Sequence, residues 1–164
     1  MYRPSARLDF SMISFLIIDD QPYARRMIRS MLGGFGSREI YESANGAEAL
    51  EQVRAFRPSI IITDLVMPVF DGARFISVMK APMSPAQKIP VIVLSGYLTK
   101  TATLAVRESG AEELLVKPVS PKALHDHISR IVLRRDESRR SRPVLEDQDT
   151  RTGPQHGNAD FALL

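Results

Sequence analysis

The chain contains no cysteine. A disulfide framework, a thiolate zinc site and a cysteine nucleophile are therefore excluded, and the composition suits a reducing, cytoplasmic setting. Long apolar runs are absent too. None approaches the ~20 residues that a membrane helix needs, so no membrane insertion is expected. Residues 1–14 carry two arginines and no long apolar stretch, which does not read as a secretory signal. Neither sign of charge is in large excess. A net charge of +3 over 164 residues is too small to argue for nucleic acid as a partner. What remains is ordinary globular material, 44% hydrophobic and 25% charged. The length suits one domain of roughly 100–150 residues with little left over.

Short apolar runs alternate with helical patterns. Residues 13–18 form the first run and lead into Asp19-Asp20-Gln21-Pro22, where proline suits the first turn of a helix. Met27, Ile28, Met31 and Leu32 recur at helical spacing. Arg25, Arg26 and Arg29 read as a solvated face, and Gly33-Gly34-Phe35-Gly36 as the stop. Residues 39–43 form a weaker strand. Asn45-Gly46 caps a helix bearing Ala49, Leu50, Val53 and Phe56, which Arg57-Pro58 ends. Residues 59–63 are a third strand closed by Asp64. Phe75, Ile76 and Met79 mark a helix after the Asp71-Gly72 turn. Residues 90–95 and 113–116 are the last strands, with a helix over 99–109 between them. Ser120-Pro121 caps a final helix with Leu124, Ile128, Ile131 and Val132 inward. Strands this apolar are buried on both faces. With helices between them they imply an α/β fold, a doubly wound five-stranded parallel sheet with five helices. A barrel would need about 250 residues.

Asp64 is the residue that asks for an explanation. Burying an unpaired charge is costly, so an acid closing a buried strand needs a partner, a metal or a task. Ligands of open α/β sheets bind beyond the carboxyl ends of the strands. Asp19, Asp20, Asp64, Ser95 and Lys117 all fall at such ends and are expected to converge. Three carboxylates repel one another. With Lys117 the set carries −2, which one divalent cation neutralises. Oxygen ligands without cysteine or histidine favour Mg²⁺, with Mn²⁺ as the alternative, over zinc. A phosphoryl group on Asp64 would replace one negative charge by about two. The cation and Lys117 would neutralise its oxygens during in-line attack, and the Ser95 hydroxyl would donate to one of them.

This set resembles the receiver domain of two-component response regulators. The likeness covers about residues 13–133. It rests on Asp19-Asp20, Asp64 with Met67-Pro68 and Asp71-Gly72, Ser95-Gly96, and Lys117-Pro118. It implies a flavodoxin-like sheet of order 2-1-3-4-5 and a phosphoacceptor role for Asp64. It implies Mg²⁺ held by Asp20, Asp64 and the Val66 backbone carbonyl, with Asp19 acting partly through water. Ser95 would sense the phosphoryl group and Lys117 would bind it. The Lys117-Pro118 bond is similar to one that is cis in the family. The implied donor is a histidine kinase or a histidine phosphotransfer protein. No enzymatic turnover is implied beyond self-catalysed phosphotransfer and dephosphorylation. One residue departs from the pattern. Leu114 stands three before the lysine, where the family usually has Tyr or Phe as a reporter of phosphorylation. Tyr97 is the nearest aromatic to Ser95.

The expected organisation is an N-terminal arm over 1–12, a receiver domain over 13–133 and a charged, disordered tail over 134–164. Residues 134–142 carry five arginines against Asp136 and Glu137. Glu146, Asp147, Asp149 and Asp160 then oppose Arg151. Such a tail is too short and polar for a folded output domain. A single-domain regulator that signals through protein contacts is therefore expected, with its output partner and its dimerisation left open. There are two rivals. A phosphatase with an aspartate nucleophile would carry a second acid two residues after Asp64, where Val66 stands. A receiver-shaped scaffold that is never phosphorylated would have no use for the full acid set and Lys117. His125 and His127 lie two apart and do not share a helix face, so no metal is expected there.

Overall fold

Side-chain alternation along the apolar runs decides the architecture. The computed structural model describes residues 8–97 and 99–140. Its strands are β1 (Phe15–Ile18), β2 (Ile40–Ser43), β3 (Ile60–Asp64), β4 (Val91–Ser95) and β5 (Glu113–Val116). Its helices are α1 (Pro22–Phe35), α2 (Gly46–Phe56), α3 (Gly72–Met79), α4 (Lys100–Glu108) and α5 (Pro121–Arg140). All strand pairs are parallel and the sheet order is β2-β1-β3-β4-β5. This is the doubly wound, flavodoxin-like order that the resemblance implied.

One face of the sheet presents Phe15, Ile17, Ile60, Ile62, Ile92 and Leu94 to α1 and α5. The other presents Leu16, Ile18, Ile61, Val91 and Val93 to α2, α3 and α4. Both faces are covered, which is why the strands are apolar without a break. β2 is the exception. It lies at the sheet edge and three of its four residues are only half-buried.

Local chemistry sets most boundaries. Pro22 opens α1, and the side chains of Asn45 and Asp71 cap α2 and α3 by accepting from the Glu48 and Arg74 amides. The Ser120 hydroxyl accepts from the Ala123 amide at the start of α5. α1 ends within the expected stop Gly33-Gly34-Phe35-Gly36. The helix runs through Gly33 and Gly34 and ends at Phe35. Gly36, at φ 105°, supplies the left-handed residue that ends it, and the Ser37 amide turns back to the Leu32 carbonyl.

Two segments extend beyond the expected limits of the domain. Phe10, in a 3-10 turn over Phe10–Met12, is 3% exposed and packs on Phe35 and His125. α5 continues past 133 to Arg140. Glu113, at the start of β5, anchors it by pairing with His127 at 2.8 Å, Arg130 at 3.7 Å, and Arg134. Residues 1–7 and 141–164, where the rest of the expected arm and tail fall, lie outside the described residues. Lys80 closes the loop before β4, donating to the Gln87 and Ile89 carbonyls and to Glu112. Among the described residues no helix is long and apolar enough to cross a membrane.

Candidate functional site

Register brings the site together. Ile18 is paired with Thr63 across β1 and β3, so Asp19 and Asp64 leave adjacent strands side by side. Ser95 ends β4 opposite Val116, and Lys117 follows. Two strand spacings, roughly 10 Å, separate β5 from β3. The Lys117 and Asp64 side chains close that gap between them. Its Nζ lies 3.0 Å from Asp19 Oδ2 and 2.9 Å from Asp64 Oδ1.

The two bridged acids differ from the third. Asp19 and Asp64 are 2% and 8% exposed, whereas Asp20 is open to solvent. Asp19 is held further by the Gln21 amide, which donates to its Oδ1 at 2.9 Å. Burial raises the Asp64 pKa, and the neighbouring Asp19 adds to the rise. The hydrogen bond and charge of Lys117 oppose it. Burial alone would lower the Lys117 pKa, but its hydrogen bonds to Asp64 and Asp19 outweigh that and the net direction is up. The ammonium is therefore well secured as a cation.

The donor set fits a hard cation. Asp19, Asp20 and Asp64 each offer an oxygen, and these lie within 4.8 Å of one another. Lys117 neutralises only part of their charge. Asp20 has no ion pair among the described residues, which leaves its carboxylate for a ligand. Oxygen-only donors of this kind suit Mg²⁺ or Mn²⁺.

The loop after β3 is folded back on the site. The Gly72 amide donates to the Leu65 carbonyl, and the Thr63 hydroxyl donates to the Asp64 carbonyl. Val66 lies in this loop with its side chain 74% exposed. Ser95 is buried, but its hydroxyl is turned to its own loop. It donates to the Tyr97 carbonyl at 2.9 Å and accepts from the Tyr97 amide at 3.2 Å. The Tyr97 side chain is exposed. The Lys117–Pro118 peptide is cis. Leu114 packs half-buried against the core layer under α2, α3 and α4.

Sequence reasoning missed the support around these residues. Arg25 is not part of a solvated face. Its side chain donates to the Asp19 carbonyl at 2.7 Å and to Glu42 at 3.2 Å. Arg29 meets the same carboxylate at 3.1 Å. The i,i+4 spacing of the two arginines was the available signal, since such residues share a helix face. Gln21 acts through its backbone, so no side-chain pattern announces it.

A five-stranded doubly wound sheet with clustered aspartates and a cross-sheet lysine at its carboxyl edge defines the class of CheY-like signalling modules. A model of the response regulator receiver domain matches residues 15–129, and the chain belongs to that family. Among similar solved structures is chemotaxis protein CheY4 of Vibrio cholerae. It is 29% identical with a TM-score of 0.68, over 73% of this chain and 98% of that one. A putative response regulator of Chloroflexus aurantiacus is 30% identical with a TM-score of 0.68, over 74% and 98%. Larger relatives match as well. A protein-glutamate methylesterase/protein-glutamine glutaminase of Syntrophomonas wolfei is 35% identical over 63% of this chain and 29% of its own length. A probable transcriptional regulator, ycf27, of Porphyridium aerugineum is 32% identical over 73% and 48%. The aligned region thus spans less than half of either relative. Receiver domains are phosphoacceptor modules of two-component signalling rather than classical enzymes.

Proposed function

We propose that Asp64 accepts a phosphoryl group from a phosphohistidine on a histidine kinase or phosphotransfer protein. The carrying observation is Lys117, whose one ammonium group contacts both Asp19 and Asp64. An Asp64 carboxylate oxygen forms the new P–O bond as the donor's P–N bond breaks, and the imidazole leaves as the neutral base after taking a proton. Asp19, Asp20 and Asp64, with the Val66 carbonyl, would hold Mg²⁺ or Mn²⁺, which when bound neutralises phosphoryl oxygens. Lys117 stays within reach of the same oxygens and keeps the product charge paired.

Ser95 supplies the readout. Its hydroxyl gives up the Tyr97 carbonyl to donate to the phosphoryl group, and the Tyr97 segment is released to take a new position. This route needs no aromatic at Leu114. Tyr97 also covers the phosphoryl group against water. The donor approaches along a groove of about 370 Å³ beside Lys117, lined by Tyr23, Ala24, Met27, Pro118 and Val119. An apolar groove next to the acceptor suits a helix that must bring its imidazole to Asp64. Output then passes through protein contacts.

The test is intact mass spectrometry after incubation with acetyl phosphate or phosphoramidate and Mg²⁺. One phosphoryl mass should add to the wild type and none to Asp64→Asn. Equal addition to both, or to neither, refutes the assignment of Asp64.

A further inference from the structure

A second pocket lies at the opposite edge of the sheet from Asp64. It holds about 360 Å³ and has an apolar floor that includes Ile13, Ile60 and Ile131. Lys88, Arg135 and Arg139 stand at its rim with a single acid, Asp136. None of these three cations makes an ion pair among the described residues. Burial lowers the Arg135 pKa; Glu112 opposes this, and the like charge of Arg139 adds to the lowering by less. The rim is therefore a net positive cluster, without close ion pairs to its cations among the described residues, around an apolar floor.

The sequence that follows α5 has the complementary chemistry. Val144-Leu145 is an apolar pair, and Glu146, Asp147 and Asp149 come directly after it. Pro143 disfavours helix at the residue before it. Only five positions separate Arg139 on the rim from Val144. Fully extended, they reach at most about 17 Å, and a tether this short raises the local concentration of the segment.

We propose that residues 144–149 dock into this pocket of their own chain, with Val144 and Leu145 on the apolar floor and the acids on Lys88, Arg135 and Arg139. The α5 extension to Arg140 then serves as the arm that delivers the segment. Nothing in this depends on the phosphoacceptor role of Asp64, so either reading can fail alone.

The absence of cysteine makes the test clean. A nitroxide on Gln148→Cys of the full chain should cut the amide NMR signals of Ser59, Ile60, Lys88 and Ile89 to below half of their intensity with the label reduced. In R135E/R139E those signals should recover, since both residues are exposed and the rest of the spectrum reports the fold. Adding E146R/D147R to that variant should restore the broadening. Broadening confined to the last turn of α5, or indifferent to R135E/R139E, overturns the proposal. So does broadening on an isotope-labelled chain when the nitroxide is on a separate unlabelled chain, because the segment of a second copy would then be the occupant.

Discussion

Gly72 lies against the backbone of Asp64 so closely that a Cβ at Gly72 would sit 2.2 Å from the Asp64 carbonyl oxygen. The obstacle is main chain, which cannot swing aside like a side chain. Gly72→Ala should therefore displace the loop after β3 and destabilise the fold by about 2 kcal/mol, within the usual cost of overpacking. Chemical denaturation measures this. A midpoint equal to wild type would show that the contact relaxes freely. Labelling of Asp64 by a small phosphodonor should slow in the same variant.

Lys117→Met keeps the bulk of the stem and removes the charge between Asp19 and Asp64. Breaking a buried ion pair costs about 3–5 kcal/mol. Lys117 is 30% exposed, so a loss nearer 2 kcal/mol is expected without divalent cations. Mg²⁺ should then stabilise the variant more than the wild type, because Asp19 and Asp64 have lost the ammonium that bridges them. Urea unfolding with and without Mg²⁺ decides it; an equal Mg²⁺ effect on both proteins would count against the charge argument.

Ser43 ends β2 with its hydroxyl buried and without a hydrogen-bond partner among the described residues. An unsatisfied hydroxyl costs about 1–3 kcal/mol. Ser43→Ala should leave stability unchanged or raise it by about 1 kcal/mol. A clear loss on thermal unfolding would reveal a partner for the hydroxyl.

Tyr97→Ala tests the shielding of the phosphoryl group. The decay of phosphorylated Asp64, followed by mass after removal of the phosphodonor, should be several-fold faster than in wild type. An unchanged or slower decay removes the shielding role and leaves the Ser95 contact intact.

Glu113→Gln tests the anchor of α5. One carboxylate gathers His127, Arg130 and Arg134, and its side chain is 11% exposed. Amide exchange over residues 130–140 should accelerate at least tenfold, while exchange in β3 and β4 stays near the wild-type rate. Uniform acceleration would mean that the anchor supports the whole domain.

The doubly covered parallel sheet was legible from periodicity, its strand order came with the resemblance, and Asp19, Asp20, Asp64, Ser95 and Lys117 were legible as strand-end positions. Isoleucine-rich runs declare burial on both faces, and Asp64 or Lys117 stands out where such a run stops. Within the expected stop at 33–36 the helix continues through Gly33 and Gly34, because a glycine inside a helix costs only about 1 kcal/mol, which the packing of Ile28 and Leu32 offsets. Arg25 was taken for a solvated residue because its partners, the Asp19 carbonyl and Glu42, are supplied by β1 and β2 after folding. The reach of α5 to Arg140 was hidden for the same reason. Its arginines look solvated until Glu113 is placed beneath them. Ser95 was found by position, but its bond to Tyr97 belongs to a loop conformation that composition does not encode.

The bridge from Lys117 to Asp19 joins the last strand to the first. On a ribosome Asp19, Asp20 and Asp64 emerge well before Lys117, so a nascent chain carries the three acids without the ammonium that bridges two of them. The pocket comes into being only when β5 adds to the sheet edge. A product truncated before β5 therefore has Asp64 without the cation that pairs with it here. The Asp19–Lys117–Asp64 contact is thus a property of the assembled sheet and not of its first three strands.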